Sequence, residues 1–418
     1  MRWSTAGVVG LRSAEARLRK ALDLPLRPYK LLLELTAECN SRCVSCAIWK
    51  TPAATKRQEF KAEHVERLLR ESGKDISWLA LSGGEVTVYE DFPTVIALAK
   101  RYCPALRLVT FTTNGLLPHK ALEWALLVKG AGFDGFITVS LDGDESAHDR
   151  IRGVKGNYAL AMQTRQLLRE HGIEAHFGLT VSEMNESFIA REYRMRRDEL
   201  KAVTFVHSDG IYAQENRSDD GSILRSLRTI YRSYRARTPA ELLEKMYIRL
   251  GIGFVVQHRS TNAVPCGVGH TSLHVRPDGS VVHCMFLDPI GNIKQSGSLR
   301  DMVNSAESRQ RLAAVARDEC PHCWMNCYAP HSMLMSPLRT VYELIANRTS
   351  GPGARSDAPG ASPSPGREPG PQRPLRVVPG QARAGYRRLP LMVPASERYA
   401  GAAAAVARDV VDPREVRR

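Results

Sequence analysis

Long apolar runs are absent from this 418-residue sequence, and none of its apolar stretches could cross a bilayer. The apolar stretch at residues 6–11 is too short and too poorly flanked for a signal peptide. A basic amphipathic segment over residues 12–22 predicts a helix packed on the outside of the fold. Membrane association is the less favoured alternative, because the apolar face of this segment is small. We therefore expect a cytoplasmic protein with no membrane partner.

Acidic residues and aromatics are also scarce. Lys and Arg number 59 against 44 Asp and Glu, and aromatic residues make up only 7% of the chain. No basic stretch is interleaved with stacking aromatics, so the pattern does not favour a nucleic-acid partner. Much of the excess charge lies after residue 350, where twelve arginines accompany six carboxylates. A diffuse positive surface, suited to an anionic substrate, is the expected result.

The sequence lacks the evenly dispersed cysteines of a disulfide framework. It has nine cysteines, an odd number, and most of them fall in close clusters. Such clustering indicates metal ligation in a reducing compartment. Cys103 stands apart from the clusters and is expected to be a buried, inert thiol.

Three cysteines, Cys39, Cys43 and Cys46, lie in one short loop with gaps of three and two residues. This spacing suits three ligands of a cubane iron–sulfur cluster whose fourth iron has no protein ligand. An open iron can bind a substrate or cofactor, so the loop is a candidate reaction centre. A structural zinc site and three unrelated thiols are the alternatives, but zinc normally takes four protein ligands and no nearby His or Cys supplies the fourth.

The loop resembles the Cys-x3-Cys-x2-Cys signature of the radical SAM (S-adenosylmethionine) enzymes, and Ile48-Trp49-Lys50 follows it as in many members. The resemblance implies that SAM chelates the open iron of a 4Fe–4S cluster. It also implies reductive cleavage of SAM to a 5′-deoxyadenosyl radical, with electrons from a reductase, a flavodoxin or a ferredoxin. The residue before the third cysteine is often aromatic in the family. Here it is Ser45, so adenine must find its contacts elsewhere.

Short apolar runs alternate with helical patterns from Tyr29 onward, which predicts six βα units. Right-handed crossovers curve such strands into a partial (β/α)6 TIM-like barrel with catalysis at the carboxyl ends of the strands. We divide the chain into a helical extension over 1–28, the barrel over 29–237 and a second region over 238–348. Residues 349–418 form a tail rich in Pro, Gly, Ala and Arg, whose composition predicts disorder.

Gly83, Gly84 and Glu85 follow the second predicted strand. Two glycines let the backbone approach a ligand closely, and a carboxylate beside them can accept bonds from an ammonium group. A glycine pair after a strand is usually only a turn. Placed after the cysteine loop, however, the tripeptide resembles the Gly-Gly-Glu of radical SAM enzymes, which implies binding of the methionine amino group of SAM.

Later strand ends resemble further family segments. Ser140-Leu-Asp-Gly143 and His148-Asp-Arg-Ile-Arg-Gly153 imply that Ser140, Asp142 and Arg152 reach the ribose and carboxylate of SAM. Turn or cap roles are the alternative for each of them. Leu179 and Val181 occupy positions where the family places apolar contacts to adenine. After the sixth strand, His207 and Asp209 are candidate substrate contacts, although a loop histidine is more often incidental.

The other five cysteines fall between residues 266 and 327. A turn at Pro277-Asp-Gly279 predicts a β-hairpin that carries Cys284, and a single helix is expected over 298–316. The pattern resembles the auxiliary-cluster regions called SPASM and, in shorter form, Twitch. A full SPASM region needs more cysteines than remain, so we expect one auxiliary 4Fe–4S cluster. The expected ligands are Cys266, Cys284, Cys320 and Cys323.

Two points about this second set stay open. Cys327 could replace one of the four ligands or stand free near the substrate. Zinc is the alternative to a cluster, with His283 and His322 as additional ligands.

The resemblance implies a radical SAM oxidoreductase that abstracts a hydrogen atom from its substrate. By analogy with the Twitch-bearing dehydrogenase of aminoglycoside synthesis, we expect oxidation of an alcohol carbon on a small sugar-like or aminocyclitol-like molecule, with the auxiliary cluster as electron acceptor. A second hypothesis is modification of a peptide by a thioether or carbon–carbon crosslink. A third, from a different class, is a non-catalytic binding protein stabilised by metal.

Overall fold

The computed structural model describes residues 3–207, 219–257 and 261–346. The described residues all lie within one compact unit. Asp209 and the tail over 349–418 lie outside the described residues, so the predictions made for them stay predictions. No helix in the described part of the chain is long and apolar enough to span a membrane.

Nine strands form one sheet within the described residues, in the order β6-β5-β4-β3-β2-β1-β7-β8-β9. Neighbouring strands from β1 to β6 are parallel, which confirms the predicted partial barrel. The strands are β1 (Lys30–Glu34), β2 (Trp78–Ser82), β3 (Leu108–Thr113), β4 (Phe136–Ser140), β5 (Glu174–Val181), β6 (Leu200–Phe205), β7 (Ser272–Val275), β8 (Ser280–Val282) and β9 (Gly291–Asn292).

One helix precedes the first strand, the next helices alternate with the barrel strands as the sequence pattern predicts, and two more follow the sixth strand. In chain order they are α1 (Trp3–Ala21), α2 (Ala53–Lys56), α3 (Ala62–Ser72), α4 (Phe92–Tyr102), α5 (Pro118–Gly130), α6 (Glu145–Arg152), α7 (Asn157–Glu170), α8 (Glu186–Arg196), α9 (Asp220–Ser233) and α10 (Pro239–Val256). After β9 come α11 (Leu299–Asn304), α12 (Ala306–Ala316), α13 (Ala329–Met335) and α14 (Pro337–Ala346).

The expected single helix over 298–316 is two helices. Ser305 has extended backbone angles (φ −63°, ψ 159°), and its side chain accepts a hydrogen bond from the backbone N–H of Ser308. Serine competes with the helical hydrogen bonds in this way, so it ends α11 and caps α12. The apolar periodicity on either side concealed the break.

The predicted hairpin is present, and it extends the barrel sheet. β7 pairs with β8 in antiparallel fashion, while on its other side it pairs in parallel with β1. Lys30 lies opposite Ser272 and Leu33 lies opposite Val275. The second cysteine region is therefore attached through backbone hydrogen bonds to the strand that leads into the first cysteine loop.

Strand β1 divides its side chains between two environments. Leu31 and Leu33 pack into the helix-covered core, whereas Lys30, Leu32 and Glu34 face the interior of the partial barrel. Side chains of a strand alternate between its two faces, so positions two and four residues apart share a side. The interior face of β1 thus carries one positive and one negative residue.

Candidate functional site

The loop of Cys39, Cys43 and Cys46 lies at the carboxyl end of β1 and is held from the side by the end of α6. Backbone N–H groups of Arg42 and Val44 donate to the carbonyl oxygens of Arg152 and Ile151, each at 2.9 Å. Gly153, at φ +67°, packs so tightly that a Cβ there would lie 2.4 Å from the Arg42 carbonyl oxygen. The loop conformation therefore depends on the motif that resembles His-Asp-x-x-Arg-Gly.

All three thiols of this loop line the interior cavity of the barrel. Burial raises the pKa of Cys39 and of Cys46 to about 11, so in the absence of metal both are neutral thiols at pH 7. Arg152 Nη1 lies 3.8 Å from Cys43 Sγ and donates to it. Iron bound here must displace protons from the thiols. Burial has the larger effect on the pKa of Cys46 and raises it, while the Arg152 guanidinium acts to lower it.

The backbone that packs against Gly83 and Gly84 leaves no room for a side chain at either position. The N–H of Gly84 donates to the Thr36 carbonyl oxygen at 2.6 Å, and the N–H of Glu85 donates to the Glu38 carbonyl oxygen at 2.8 Å. A Cβ on Gly83 would stand 2.4 Å from the Thr36 oxygen, and one on Gly84 would stand 2.1 Å from the Glu38 oxygen. The pair therefore lies directly against the segment that joins β1 to the cysteine loop.

The buried carboxylate of Glu85 is held by four hydrogen bonds. The backbone N–H and hydroxyl of Thr87, the hydroxyl of Thr113 and the N–H of Asn114 donate to it at 2.7–3.0 Å. Burial raises its pKa, while these bonds act in the opposite direction. Glu85 thus orders the ends of β2 and β3 within the cavity wall. Its predicted contact with the SAM amino group stays a prediction.

Ser140, Asp142 and Arg152 converge on the cavity. Asp142 Oδ2 lies 2.7 Å from Arg152 Nη2, and Asp142 Oδ1 accepts a hydrogen bond from the backbone N–H of Thr180 at 2.9 Å. The ion pair joins the end of β4 to the helix that holds the cysteine loop. Asp142 and Arg152 therefore come together beside Cys43, and Ser140 lines the same cavity.

Leu179 and Val181 lie elsewhere than expected. Both are buried in the core on the helix-covered face of β5, and Thr180 between them lines the cavity. The alternation of the strand explains the difference, since a shift of one residue exchanges the two faces. The structure therefore does not place Leu179 and Val181 among the cavity residues that could contact adenine.

His207 is buried and lines the cavity, but both ring nitrogens are engaged. Nδ1 lies 2.8 Å from the Phe205 carbonyl oxygen, and Nε2 accepts a hydrogen bond from the N–H of Trp324 at 3.2 Å. A neutral ring with its proton on Nδ1 satisfies both contacts. His207 thus links the end of β6 to the second cysteine region, and its predicted substrate contact stays a prediction.

The second cysteine set gathers residues from three segments. Cys266 precedes β7, Cys284 follows β8, and Cys320, Cys323 and Cys327 lie between α12 and α13. Burial, and then the neighbouring thiols, raise the pKa of Cys284 to about 12 and that of Cys323 well above its usual value. Four thiols of this buried centre, Cys266, Cys284, Cys323 and Cys327, pack in one cluster. The fifth, Cys320, is half-buried, and its Sγ lies 3.8 Å from the Asn262 side chain, which also accepts a hydrogen bond from the Cys323 N–H.

Cys327 differs from the other four in one respect, because it alone of the five lines the barrel cavity. Burial raises its pKa to about 12, and the charge of Lys30 acts to lower it. Of the two histidines of the zinc alternative, His283 bonds the hydroxyl of Ser308 through Nε2 at 2.8 Å. His322 Nε2 has no hydrogen-bond partner among the residues that the structure describes, and it lies 3.8 Å from Asp318.

Both donor sets fit iron–sulfur clusters. Among the described residues, no group of three or more His, Cys, Asp or Glu side chains is arranged to hold a single metal ion. In a cubane each cysteine binds its own iron, so the thiols are spaced around a larger body than one ion. Three thiols at the cavity wall match a cluster with an open iron. The buried centre offers four or five thiols, enough for a second cluster.

The sequence motifs do not reveal three residues that line the cavity: Lys30, Glu34 and His274. Glu34 Oε1 lies 3.0 Å from His274 Nε2, although the two atoms are not aligned as an ideal hydrogen bond. His274 Nδ1 lies 2.8 Å from the Tyr328 hydroxyl, to which the Met285 N–H donates at 3.1 Å. Lys30 and Glu34 are charged residues four positions apart on a strand that is otherwise apolar. This pattern was the signal that could have revealed them.

Two family models match the chain. The model described as radical SAM superfamily covers residues 33–188, and the SPASM model, described as an iron–sulfur cluster-binding domain, covers residues 266–328. The first span holds the cysteine loop, Gly83-Gly84-Glu85 and the Asp142–Arg152 pair. The second span holds all five cysteines of the buried centre.

Curated relatives match at moderate identity. The pre-heme d1 synthase of Dinoroseobacter shibae is 30% identical over 210 residues, 48% of each chain. The antilisterial bacteriocin subtilosin biosynthesis protein AlbA of Bacillus subtilis is 24% identical over 312 residues, 71% of this chain and 64% of that protein. The chain thus spans about half of the first relative and less than two thirds of the second.

Among solved structures, native anSMEcpe with bound AdoMet superimposes with a TM-score of 0.54 at 15% identity. The match covers 76% of this chain and 96% of that one, and it shows the shared fold. The family models imply a SAM-binding 4Fe–4S cluster in the barrel and auxiliary iron–sulfur binding after it. The chain belongs to the radical SAM superfamily and carries a C-terminal SPASM region.

Proposed function

We propose that this radical SAM enzyme oxidises a substrate held in its barrel cavity, and that the buried cysteine centre holds the electron acceptor. The observation that carries this proposal is a continuous cavity of 870 Å³. Its wall includes Cys39, Cys43 and Cys46 as well as Cys327. A substrate in this space would lie close to both cysteine sets.

The bound groups supply a 5′-deoxyadenosyl radical from SAM at the first cluster and a one-electron acceptor at the second, with a reductase, flavodoxin or ferredoxin as the external electron donor. The chain itself must hold the reacting carbon, exclude water and accept a proton. Loss of one hydrogen atom, one electron and one proton oxidises the substrate by two electrons. One auxiliary cluster, on Cys266, Cys284, Cys320 and Cys323, suffices for this balance.

Glu34 is the proton acceptor in this proposal. Because Tyr328 accepts a bond from the Met285 N–H, its hydroxyl hydrogen is free to point to His274 Nδ1. The proton of a neutral His274 ring then lies on Nε2, 3.0 Å from Glu34 Oε1. The carboxylate lies beside this ring, makes no other ion pair among the described residues and faces the cavity at the carboxyl end of β1.

A peptide is the substrate class favoured by the comparisons. The bacteriocin biosynthesis protein AlbA aligns over 71% of this chain, whereas the pre-heme d1 synthase aligns over 48%. A thioether or carbon–carbon crosslink within a peptide removes two hydrogens in total, as the balance above requires. One end of the peptide would enter the cavity while the rest stays outside.

Alcohol oxidation on a small sugar-like or aminocyclitol-like molecule is the second candidate. The observation that favours it is a set of hydroxyl side chains on the cavity wall, Thr110, Thr138 and Thr204, on three strands. Such groups can bond the hydroxyls of a polyol. The carbinol carbon would lose its hydrogen atom, Glu34 would accept the hydroxyl proton, and the electron would pass to the acceptor, leaving a ketone.

Anaerobic reconstitution tests the proposal. We expect about eight irons per chain, as two four-iron clusters require, and release of 5′-deoxyadenosine from SAM under reduction. Replacing Cys39, Cys43 and Cys46 together by Ala should abolish that release, because the SAM-binding cluster is lost. Replacing Cys284 and Cys323 by Ala should lower the iron content by about half and block product formation while SAM cleavage continues.

Two results would contradict the proposal. A colourless protein that holds only zinc would support the non-catalytic, metal-stabilised alternative. Equal loss of SAM cleavage in both sets of variants would show that the second centre has no separate role. Cys103→Ala is the matched control, because this buried thiol lies outside both sets.

A further inference from the structure

Lys30 is a buried cation on the interior face of β1, four residues before Glu34. Its side chain lines the cavity, and Nζ lies 4.1 Å from the centre of the Trp78 ring. Two of its three N–H groups have acceptors, the Cys327 carbonyl oxygen and His331 Nε2, each at 3.1 Å. The third N–H has no hydrogen-bond acceptor among the described residues.

The partners of Lys30 hold it in place without neutralising it. Lys30 can only donate, so His331 Nε2 must accept and the ring proton must lie on Nδ1. Nδ1 lies 2.8 Å from the Tyr29 hydroxyl, which in turn lies 2.8 Å from the hydroxyl of Ser13 on α1. Each hydrogen bond of this network is therefore donated in the direction from Lys30 to α1. Every member of the network except Lys30 is neutral.

The other cations of the cavity wall have carboxylate partners. Arg152 pairs with Asp142 at 2.7 Å, and Lys201 pairs with Glu241 at 3.4 Å. In the described part of the chain, no carboxylate oxygen forms an ion pair with Lys30. A buried ammonium surrounded by neutral groups is costly unless an anion joins it. The cavity therefore contains one uncompensated positive charge.

We propose that Lys30 binds a carboxylate group of the substrate at the amino-terminal end of the strands. One ammonium with one open N–H matches a singly charged anion, whereas a phosphate dianion would need further donors. The Trp78 ring beside Nζ and the Phe136 ring, whose centre lies 6.4 Å from that of Trp78, offer an apolar surface to the adjoining carbon atoms.

The position of Lys30 also limits the length of the substrate. Lys30 and Glu34 share one face of β1, and four residues of a strand span roughly 13 Å. This step rests on the proposed function, because it takes Glu34 as the proton acceptor beside the reacting carbon. The substrate would then be an acid whose carboxylate lies roughly 10 Å from the C–H bond that is broken. A peptide that inserts about three residues meets this requirement, because an extended chain spans roughly 3.3–3.6 Å per residue. A single sugar acid is too short.

Binding of small probes to the reconstituted, SAM-loaded enzyme tests the assignment without turnover. The probes are N-acetylglycine, its neutral amide and inorganic phosphate, each followed by saturation-transfer NMR under anaerobic conditions. We expect the wild-type enzyme to bind the acid at least tenfold more tightly than the amide. Lys30→Met should remove that preference, and Lys30→Arg should keep most of it because the charge remains.

Lys201→Met is the matched control, because it removes a cation of the same cavity that already has a carboxylate partner. It should leave the preference for the acid unchanged. Equal binding of acid and amide by the wild-type enzyme would overturn the assignment even if Lys30→Met failed to fold. Tighter binding of phosphate than of N-acetylglycine would overturn the carboxylate class.

The two proposals can fail separately. An enzyme that releases 5′-deoxyadenosine but does not distinguish acid from amide refutes only the role of Lys30. A protein that prefers the acid but never cleaves SAM refutes the proposed reaction and leaves the anion site in place.

Discussion

Glu34 is a carboxylate on a strand whose five residues are all buried, and His274 makes that position tenable. The histidine lies on β7, the strand that pairs with β1, so backbone register brings the two side chains together. His274 is held in turn by the Tyr328 hydroxyl. A buried carboxylate next to a histidine that a third group orients is a candidate proton acceptor.

Glu34→Gln should uncouple SAM cleavage from product formation. The amide cannot accept a proton at pH 7, so product formation should fall by roughly 10²-fold or more, whereas SAM cleavage needs no base. The ratio of 5′-deoxyadenosine to product in the anaerobic assay measures the effect. Glu63→Gln, on the exposed side of α3, is the control. An unchanged ratio would remove Glu34 from the reaction.

At the scale of elements, the first cysteine loop is positioned by the chain around it. The end of α6 bonds its backbone from one side, and the turn after β2 packs under the segment that precedes it. Both contacts depend on glycine, at Gly153 and at Gly83-Gly84. The loop is therefore preorganised for three ligands of one cluster.

Gly84→Ala should lower both stability and iron content. A Cβ would lie 2.1 Å from a backbone oxygen that cannot move away without shifting the cysteine loop, so we expect a loss of roughly 2 kcal/mol or more. Thermal unfolding and iron analysis after reconstitution provide the measurements. Gly130→Ala, at the end of α5, meets nothing within 4 Å and should behave as wild type. If both variants retained full iron, the tight packing would be irrelevant to the loop.

Much of this arrangement could be predicted from the sequence. The six βα units follow from local periodicity, and the cysteine spacings indicate both metal centres. Residues brought together by non-local pairing could not be predicted, because β1 and β7 are more than two hundred residues apart. His274 was missed for this reason, whereas the charges on the buried strand β1 were a local signal for Lys30 and Glu34. Leu179 and Val181 were assigned to the cavity because strand register cannot be read from a motif alone.

At the scale of the whole molecule, several histidines are buried in the neutral form. Burial lowers the pKa of His148, His176 and His270 to about 4. In the unfolded chain a histidine titrates near pH 6.5. The unfolded state therefore binds more protons between pH 6.5 and pH 4, and stability that is fully present above pH 6.5 is lost as the pH falls through this window.

Acid should therefore destabilise the protein at pH values well above those at which its carboxylates titrate. Each of these histidines should cost on the order of 1–2 kcal/mol at pH 5. Replacing His270 by Gln should flatten the fall in melting temperature between pH 7 and pH 5. The exposed His119 provides the control, since His119→Gln should leave the slope unchanged. A His270→Gln slope equal to that of wild type would argue against buried histidines as the cause.

The parallel pairing of β7 with β1 bears on how such proteins can be recombined. A C-terminal region that only packed against the barrel could be exchanged between relatives as a cassette. Here its first strand completes the ladder of the strand that carries Lys30 and Glu34. A chimera that imports a foreign C-terminal region must therefore match the register of β1, or import that strand as well.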